Sequence, residues 1–400
     1  MRGFSSRILI QKSDNSCILI NSAAVSSFAL CKIGFSSSHF VSGDIHFISK
    51  IGRKTIDTNL TPSQEAEHIR WQPIVAKYAK PHLGRSLWQV ANTLIPYFVL
   101  WGLMIWSIQI SYWITLALAF PAAGFLMRTF IIFHDCGHGS FFKSQKANEF
   151  VGRITAFLNF TPYYRWKHDH AIHHATAGDL DRRGTGDVYT MTVKEYLVAP
   201  WWKKAAYRVM RNPFALLGIG PLIVFVITQR IPPAKGRREQ ASVWSTNFAL
   251  VAVIGLLCWL IGWKTYLMVQ LPILMISTTI GVWLFYVQHN FDPTYWDNHE
   301  SWEFVKAGLQ GSSFYKLPLI LQWFSGNIGF HHIHHLSAKI PNYNLPKCYY
   351  ENPLFHVTPL TIRASLKSLS LRLYDEEQRM LVGWDGLKRY QTQKVKAINT

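Results

Sequence analysis

Residues 86–127 read SLWQVANTLIPYFVLWGLMIWSIQISYWITLALAFPAAGFLM, 42 positions without an Asp, Glu, Lys or Arg. A helix needs about 20 residues to cross a bilayer's hydrocarbon core, so this stretch is long enough for two spans and too long for one. It predicts spans at about 87–108 and 113–133, with a turn near 109–113 where Tyr112 and Trp113 suit interfacial depth. A second pair is expected at about 242–262 and 266–288, split at Gly262-Trp263-Lys264. Gly255, Gly262 and Pro272 would weaken a soluble helix, but membrane spans accept them.

Between the pairs, residues 212–229 are also uncharged, yet the stretch is short and holds Pro213 and Pro221. A full crossing there would place the histidines after the second span and those after the fourth on opposite sides. An interfacial or re-entrant helix is therefore expected. Charge sets the orientation. Residues 135–211 carry 12 Lys and Arg, and Arg230, Lys235, Arg237 and Arg238 lie on the same side, against Lys264 alone in the two short turns. Positive charge collects on the cytoplasmic side, so the large loops and both termini are expected there. The expected fold is all-α and integral to a membrane: four transmembrane helices in two hairpins with a cytoplasmic histidine-rich cap.

Composition excludes the main alternatives. With 49% apolar and 16% charged residues, and with 16 Trp, 17 Tyr and 25 Phe, the chain is neither disordered nor an ordinary soluble globule. Five cysteines without a C-x-x-C pair exclude a disulfide framework and argue against a Cys-based zinc ribbon. A formal charge of +19 would ordinarily raise the question of nucleic acid. Here uncharged stretches divide the basic clusters into faces that flank a membrane, and no nucleic-acid partner is expected. Residues 1–56 differ in character, with 12 Ser, seven Lys and Arg and only two acids. Residues 1–60 read as a disordered leader, an organellar-type targeting segment or an extension from an upstream start. Residues 61–384 form the membrane domain and 385–400 a C-terminal tail.

Seventeen histidines carry the chemical signal. His134 and His138 stand in FHDCGH at the end of the second span; His168, His170, His173 and His174 stand in KHDHAIHH; His331, His332, His334 and His335 follow GNIGF. His289 ends the fourth span as His134 ends the second. Positions i and i+4 share a helical face, and i+3 lies close by. H-x-x-x-H therefore presents two imidazoles and each H-x-x-H-H three, giving eight nitrogen donors, or nine with His289. That is too many for one metal and suits two, each with four or five donors and an open position. Ionisable groups spent so freely at a membrane boundary are costly unless paired, which argues for metal. His39, His46, His68, His82, His299 and His356 stand alone and read as ordinary interfacial or core histidines.

Imidazole suits iron, zinc and copper alike. Soluble di-iron carboxylate sites use paired E-x-x-H motifs, and this chain has one, at Glu65 to His68, outside the spans. The H-E-x-x-H of zincins does not occur. An all-histidine, two-metal site at a membrane surface suggests oxygen activation by non-haem iron on a lipid-soluble substrate.

These boxes, H-D-C-G-H, H-A-I-H-H and H-H-I-H-H, resemble those of the integral-membrane fatty acid desaturase family. The flanking text is similar too: Gly184-Thr185-Gly186-Asp187, Tyr286-Val287-Gln288-His289 and Ile340-Pro341-Asn342-Tyr343. The likeness runs over about residues 78–384 and is strongest to bacterial acyl-lipid desaturases of the delta-5 and delta-12 kind. The resemblance implies two iron ions, with O2 as co-substrate, removing two hydrogens from an acyl CH2–CH2 to leave a cis double bond. Matched residue by residue, the catalytic metal ligands would be His134, His138, His170, His173, His174, His331, His334 and His335, with His289 as an extra ligand. His168 and His332 fall outside the pattern and would stand beside the site, where Asp135 and Asp169 could orient ring N–H groups. The substrate implied is an acyl chain of a membrane lipid, and the location a bacterial plasma membrane crossed several times.

A membrane hydroxylase or ketolase is the rival within the enzyme class, because the same boxes serve it. A metal transporter would place ligands near the bilayer midplane, and a zinc hydrolase needs about three. The chain lacks the Cys spacing of an iron–sulfur ligand set, a G-x-G-x-x-G and an H-P-G-G. A separate electron donor, a ferredoxin or b-type cytochrome, is therefore expected. Lys143, Lys146, Arg182, Arg183, Lys203 and Lys204 could steer an acidic donor by charge or meet anionic headgroups.

Overall fold

The computed structural model describes residues 70–390; the expected leader over 1–60 and positions 391–400 lie outside the described residues. Helix α1 (Leu83–Ser107) leads through a short turn into α2 (Tyr112–His138). Then come α3 (Gln145–Leu158), α4 (Tyr163–Thr176) and α5 (Trp201–Met210), the long α6 (Arg237–Ile261) and α7 (Trp263–His289), and the short α8 (His331–Leu336). Four of these, α1, α2, α6 and α7, are long and apolar enough to cross a membrane. After α5 the chain bends by 64° into Ala215–Arg230, which with α5 would make a fifth candidate only if the bent pair were one span.

Local chemistry sets the ends that matter. The His82 ring accepts the Arg85 N–H at 3.2 Å and so caps the start of α1. Helix α2 runs five residues beyond the expected 133 and stops at Gly139, whose φ of 67° is left-handed. The N–H groups of Gly139 and Ser140 then close on the carbonyls of Cys136 and Asp135, both at 3.0 Å. This stop leaves His134 and His138 one turn apart at the very end of the helix. Gly262, with φ of 82°, separates α6 from α7.

Helices α1, α2 and α7 share a core of Tyr97, Met104, Ala119, Ala122, Ala123, Leu126, Val269, Ile273 and Leu274. Small alanines let the helix backbones approach, the usual packing where lipid removes the hydrophobic drive. Helix α6 buries only Ser242, Val243 and Leu250 and turns Phe248, Val251 and Trp259 outward.

Two features depart from the expected all-α plan. Strands β1 (Phe314–Lys316) and β2 (Pro359–Thr361) pair in parallel, and β3 (Leu373–Asp375) pairs antiparallel with β4 (Met380–Val382). These short extended segments follow α7, where the chain has no long apolar run and must satisfy its backbone by pairing. Within the expected tail over 385–400, the described residues 385–390 make contacts with the rest of the chain. Leu387 packs with Met191, Val193, Tyr196, Tyr207 and Leu373, and the Tyr390 hydroxyl donates to Asp375 at 2.7 Å.

Candidate metal centre

Four helix ends converge. Helix α2 delivers His134 and His138, α4 delivers His170, His173 and His174, α7 ends on His289, and α8 delivers His331, His334 and His335. Their ring nitrogens gather in two groups, each with all candidate ligand atoms within 4.8 Å of one another. One group holds His134, His138, His170, His174 and His334; the other holds His173, His289, His331 and His335. The groups abut, and the His174 and His335 rings stack with centroids 4.2 Å apart.

Within the groups, Nε2 atoms face one another: His170 and His174 at 3.2 Å, His174 and His334 at 3.1 Å, His173 and His289 at 3.1 Å, His289 and His331 at 2.9 Å. Each Nε2 of a neutral imidazole holds either one hydrogen or one lone pair, so His174 and His289, which each face two other Nε2 atoms, cannot satisfy both by hydrogen bonding. Nitrogens about 2.1 Å from a common ion and at right angles would be about 3.0 Å apart, close to these separations. The buried His138 Nε2 and His335 Nε2 have no hydrogen-bond partner among the described residues. Burial also pushes His170, His174, His331, His334 and His335 well below the ordinary imidazole pKa, and neighbouring rings add to the shift. The rings are thus kept neutral, the form that binds metal. The donor set fits two metal ions.

Carboxylates orient rings in both groups. Asp135 Oδ1 meets His134 Nδ1 at 3.1 Å, while its Oδ2 accepts the Asn342 backbone and side-chain N–H at 2.7 and 2.8 Å. Gln89 on α1 completes this buried chain by donating to Asn342 Oδ1 at 3.1 Å. In the second group Asp187 bonds His173 Nδ1. Burial alone would raise the Asp187 pKa, but the His173 and His289 rings and the hydrogen bonds from His173 and the Gly184 backbone together hold the carboxyl below its ordinary value. The loop that brings Asp187 there turns at Gly186, φ 73°, where a Cβ would lie 3.0 Å from both the Asp169 carbonyl and the His173 Cβ. Trp166 stacks on His170 at 4.3 Å and walls the first group.

Other expected residues lie elsewhere. His168 is exposed on α4. His332 is buried but bonds the Phe355 carbonyl at 3.0 Å, outside both groups. Asp169 pairs with Arg165 at 3.7 Å and with no imidazole. Of the lone histidines, His299 pairs with Asp179 and His356 bonds the Tyr349 carbonyl, while His39, His46 and His68 lie outside the described residues. The six-cation steering set is also altered, because Arg182 pairs with Asp179 and Arg183 with Glu195, and Lys204 is tied to the Leu197 carbonyl. Two residues missed in the sequence, Asp187 and Asn342, sat within flanking motifs whose role spacing alone does not reveal.

Four apolar helices long enough to span, two of which end in a cluster of nine converging imidazoles, define the class: a membrane-type protein with a histidine metal centre. The sequence profile of the fatty acid desaturase family matches residues 110–360. A fatty acid desaturase of Bacillus subtilis is 49% identical over 316 residues, covering 78% of this chain and 90% of that protein. An sn-1 acyl-lipid omega-3 desaturase (ferredoxin) of Synechocystis is 28% identical over 233 residues, 54% of this chain and 61% of that protein. An sn-1 oleoyl-lipid 12-desaturase of Anabaena variabilis is 27% identical over 268 residues, covering 63% and 72%. The chain belongs to the fatty acid desaturase family, whose members are membrane-bound oxidoreductases.

Proposed function

We propose that this protein is a non-haem di-iron desaturase that introduces a cis double bond into acyl chains of membrane lipids. The carrying observation is the division of nine buried or half-buried imidazoles into a group of five and a group of four. Iron bound there would supply activation of O2 and the oxidising power to remove two hydrogens. The balance is one CH2–CH2 pair, O2, two electrons and two protons giving one CH=CH and two waters. The protein's own part is positioning and exclusion of water. Asp135 and Asp187 fix the rings of His134 and His173, and Trp166 and Phe285 close the sides of the two groups with apolar surface.

The topology reading is two hairpins, α1 with α2 and α6 with α7, beneath a cytoplasmic cap. It is supported by the meeting of His134 and His138 from the end of α2 with His289 from the end of α7 in one cluster. Both helices must then end on the same side, which requires an even number of crossings between them. Two are supplied by α6 and α7, so Ala215–Arg230 is re-entrant. The excess of Lys and Arg in the loops supports a cytoplasmic location for that side.

An external donor supplies the electrons. Lys339, exposed, donates to the His138 carbonyl at 2.7 Å, and the exposed Lys143 and Lys146 follow box one, so a small acidic carrier has a basic face beside the first group. A relative that names ferredoxin supports that kind of donor. The test is expression in a host lacking the activity, with iron per chain measured and double bonds mapped in isotopically labelled phospholipid. Two irons and a labelled cis product without release of the chain are expected. A hydroxylated product, or turnover of acyl-CoA alone, would refute the reading.

A further inference from the structure

Arg211, which caps the end of α5, is completely buried, and no carboxylate among the described residues pairs with it. A buried guanidinium without an anion is costly, and its Nε has no partner among the described residues. Neutral acceptors hold the rest. Nη2 donates to Asn290 Oδ1 at 2.8 Å, to the Leu371 carbonyl at 3.0 Å and to the Tyr286 hydroxyl at 3.2 Å, while Nη1 reaches Thr190 Oγ1 at 3.4 Å. Its Cζ also lies 5.2 Å from the Tyr286 ring centroid.

Tyr286 and Asn290 lie on either side of His289 in the chain, and the Asn290 N–H closes the last turn of α7 on the Tyr286 carbonyl at 2.8 Å. Asn290 is also tied through its amide to the Ser368 carbonyl at 3.2 Å. One cation therefore joins α5, the 188–190 loop, the segment 368–371 and both flanks of His289. His289 is α7's only contribution to the metal centre, whereas α4 and α8 each supply three rings across the two groups. A lone donor on a helix end is only as well placed as that end. The geometry points to Arg211 as the positioning residue of His289: it fixes the end of α7 so that the imidazole completes the four-nitrogen group. Arg holds several acceptors through one planar fork, which a lysine ammonium cannot reproduce.

The inference rests on the two-iron reading, so the test is iron binding by the full chain in lipid nanodiscs. Ferrous iron is titrated into metal-free protein and the two sites are resolved by Mössbauer spectroscopy. Arg211→Gln should weaken one site about 10–100-fold and leave the other unchanged, as loss of ligand-orienting contacts does elsewhere. Arg211→Lys should fall between the two. His289→Ala should weaken the same site, and Arg211→Gln combined with His289→Ala should be no weaker than His289→Ala alone. Wild-type affinity at both sites in Arg211→Gln, or losses that add in the double variant, would overturn the assignment. If Arg211→Gln does not accumulate, Asn290→Ala and Tyr286→Phe each remove one contact and should give smaller losses at that site; unchanged affinity in both overturns it equally. A wild-type chain that fails to bind two irons refutes the two-iron reading instead.

Discussion

Asp187→Asn tests the centre without disturbing its shape. Asp187 accepts from His173 Nδ1, so the ring hydrogen stays on Nδ1 and the Nε2 lone pair faces the second group. The His173 side chain is fully buried and that of Asp187 only 18% exposed, so solvent screens their interaction little. Loss of a carboxylate behind a ligating imidazole typically weakens metal binding about 10–100-fold, which is about 1.4–2.7 kcal/mol. An amide keeps an acceptor but loses the charge, and charge-assisted bonds are roughly twice as strong as neutral ones. Asp187→Asn should therefore fall near the lower end, about tenfold, and Asp187→Ala near the upper. The assay is ferrous iron titration of metal-free protein, followed at the two sites separately. Only the site containing His173 should weaken, with membrane insertion and the other site unchanged. Wild-type affinity at both sites in Asp187→Ala would refute the orienting role, and equal losses at both would show that the loop supports the whole cap.

Two further outcomes follow from the same geometry. His332→Ala should keep measurable turnover, losing about 1–3 kcal/mol of stability as the Phe355 carbonyl loses its buried partner, whereas His334→Ala and His335→Ala should abolish desaturation. Product formation by membranes carrying each variant checks this, and an inactive His332→Ala beside an active His334→Ala would put box three in the wrong register. Reversal of Lys143, Lys146 and Lys339 to Glu should slow donor-dependent turnover and flatten its fall with ionic strength, without changing iron content. Unchanged kinetics across a salt series would leave anionic lipid as the partner of these residues.

The spans were legible because a run such as 86–127 has few physical alternatives, and the four long helices match the expected segments, two of them stopping one residue short. The ends were less so. That α2 continues to His138 depends on a left-handed Gly139, and a glycine after a span carries no fixed meaning until its backbone angle is known. The grouping of the nine histidines was foreseeable as a total, since spacing gives numbers of rings per face. Which ring joins which group was not, because that requires the relative rotation of α2, α4, α7 and α8. Asp187 and Asn342 act across 14 and 207 residues of sequence, on His173 and Asp135, and no local pattern encodes such contacts. Asp169 misled for the opposite reason: it is adjacent in sequence to a box histidine yet lies on the Arg165 side of the helix.

The five-and-four division itself follows from helix geometry. At 3.6 residues per turn, positions i and i+4 are about 40° apart around the axis, while i+3 lies about 60° to the other side of i. In H-x-x-H-H the outer two imidazoles therefore point together and the middle one diverges. On α4 the pair His170 and His174 joins the first group and His173 the second; on α8 the pair His331 and His335 joins the second and His334 the first. The two boxes thus exchange their odd members, and each group receives three rings from α4 and α8. The symmetry fails at the spans. Helix α2 adds His134 and His138 to the first group, whereas α7 adds only His289 to the second. The second group has one donor fewer, so a displaced ring there removes a quarter of its nitrogens. It is also the group whose His173 leans on Asp187 and whose His289 lies between the two residues gripped by Arg211. Supports outside the metal centre serve both groups, Asp135 with Asn342 at the first and Asp187 with Arg211 at the second, but the second has fewer rings to spare if one of them fails.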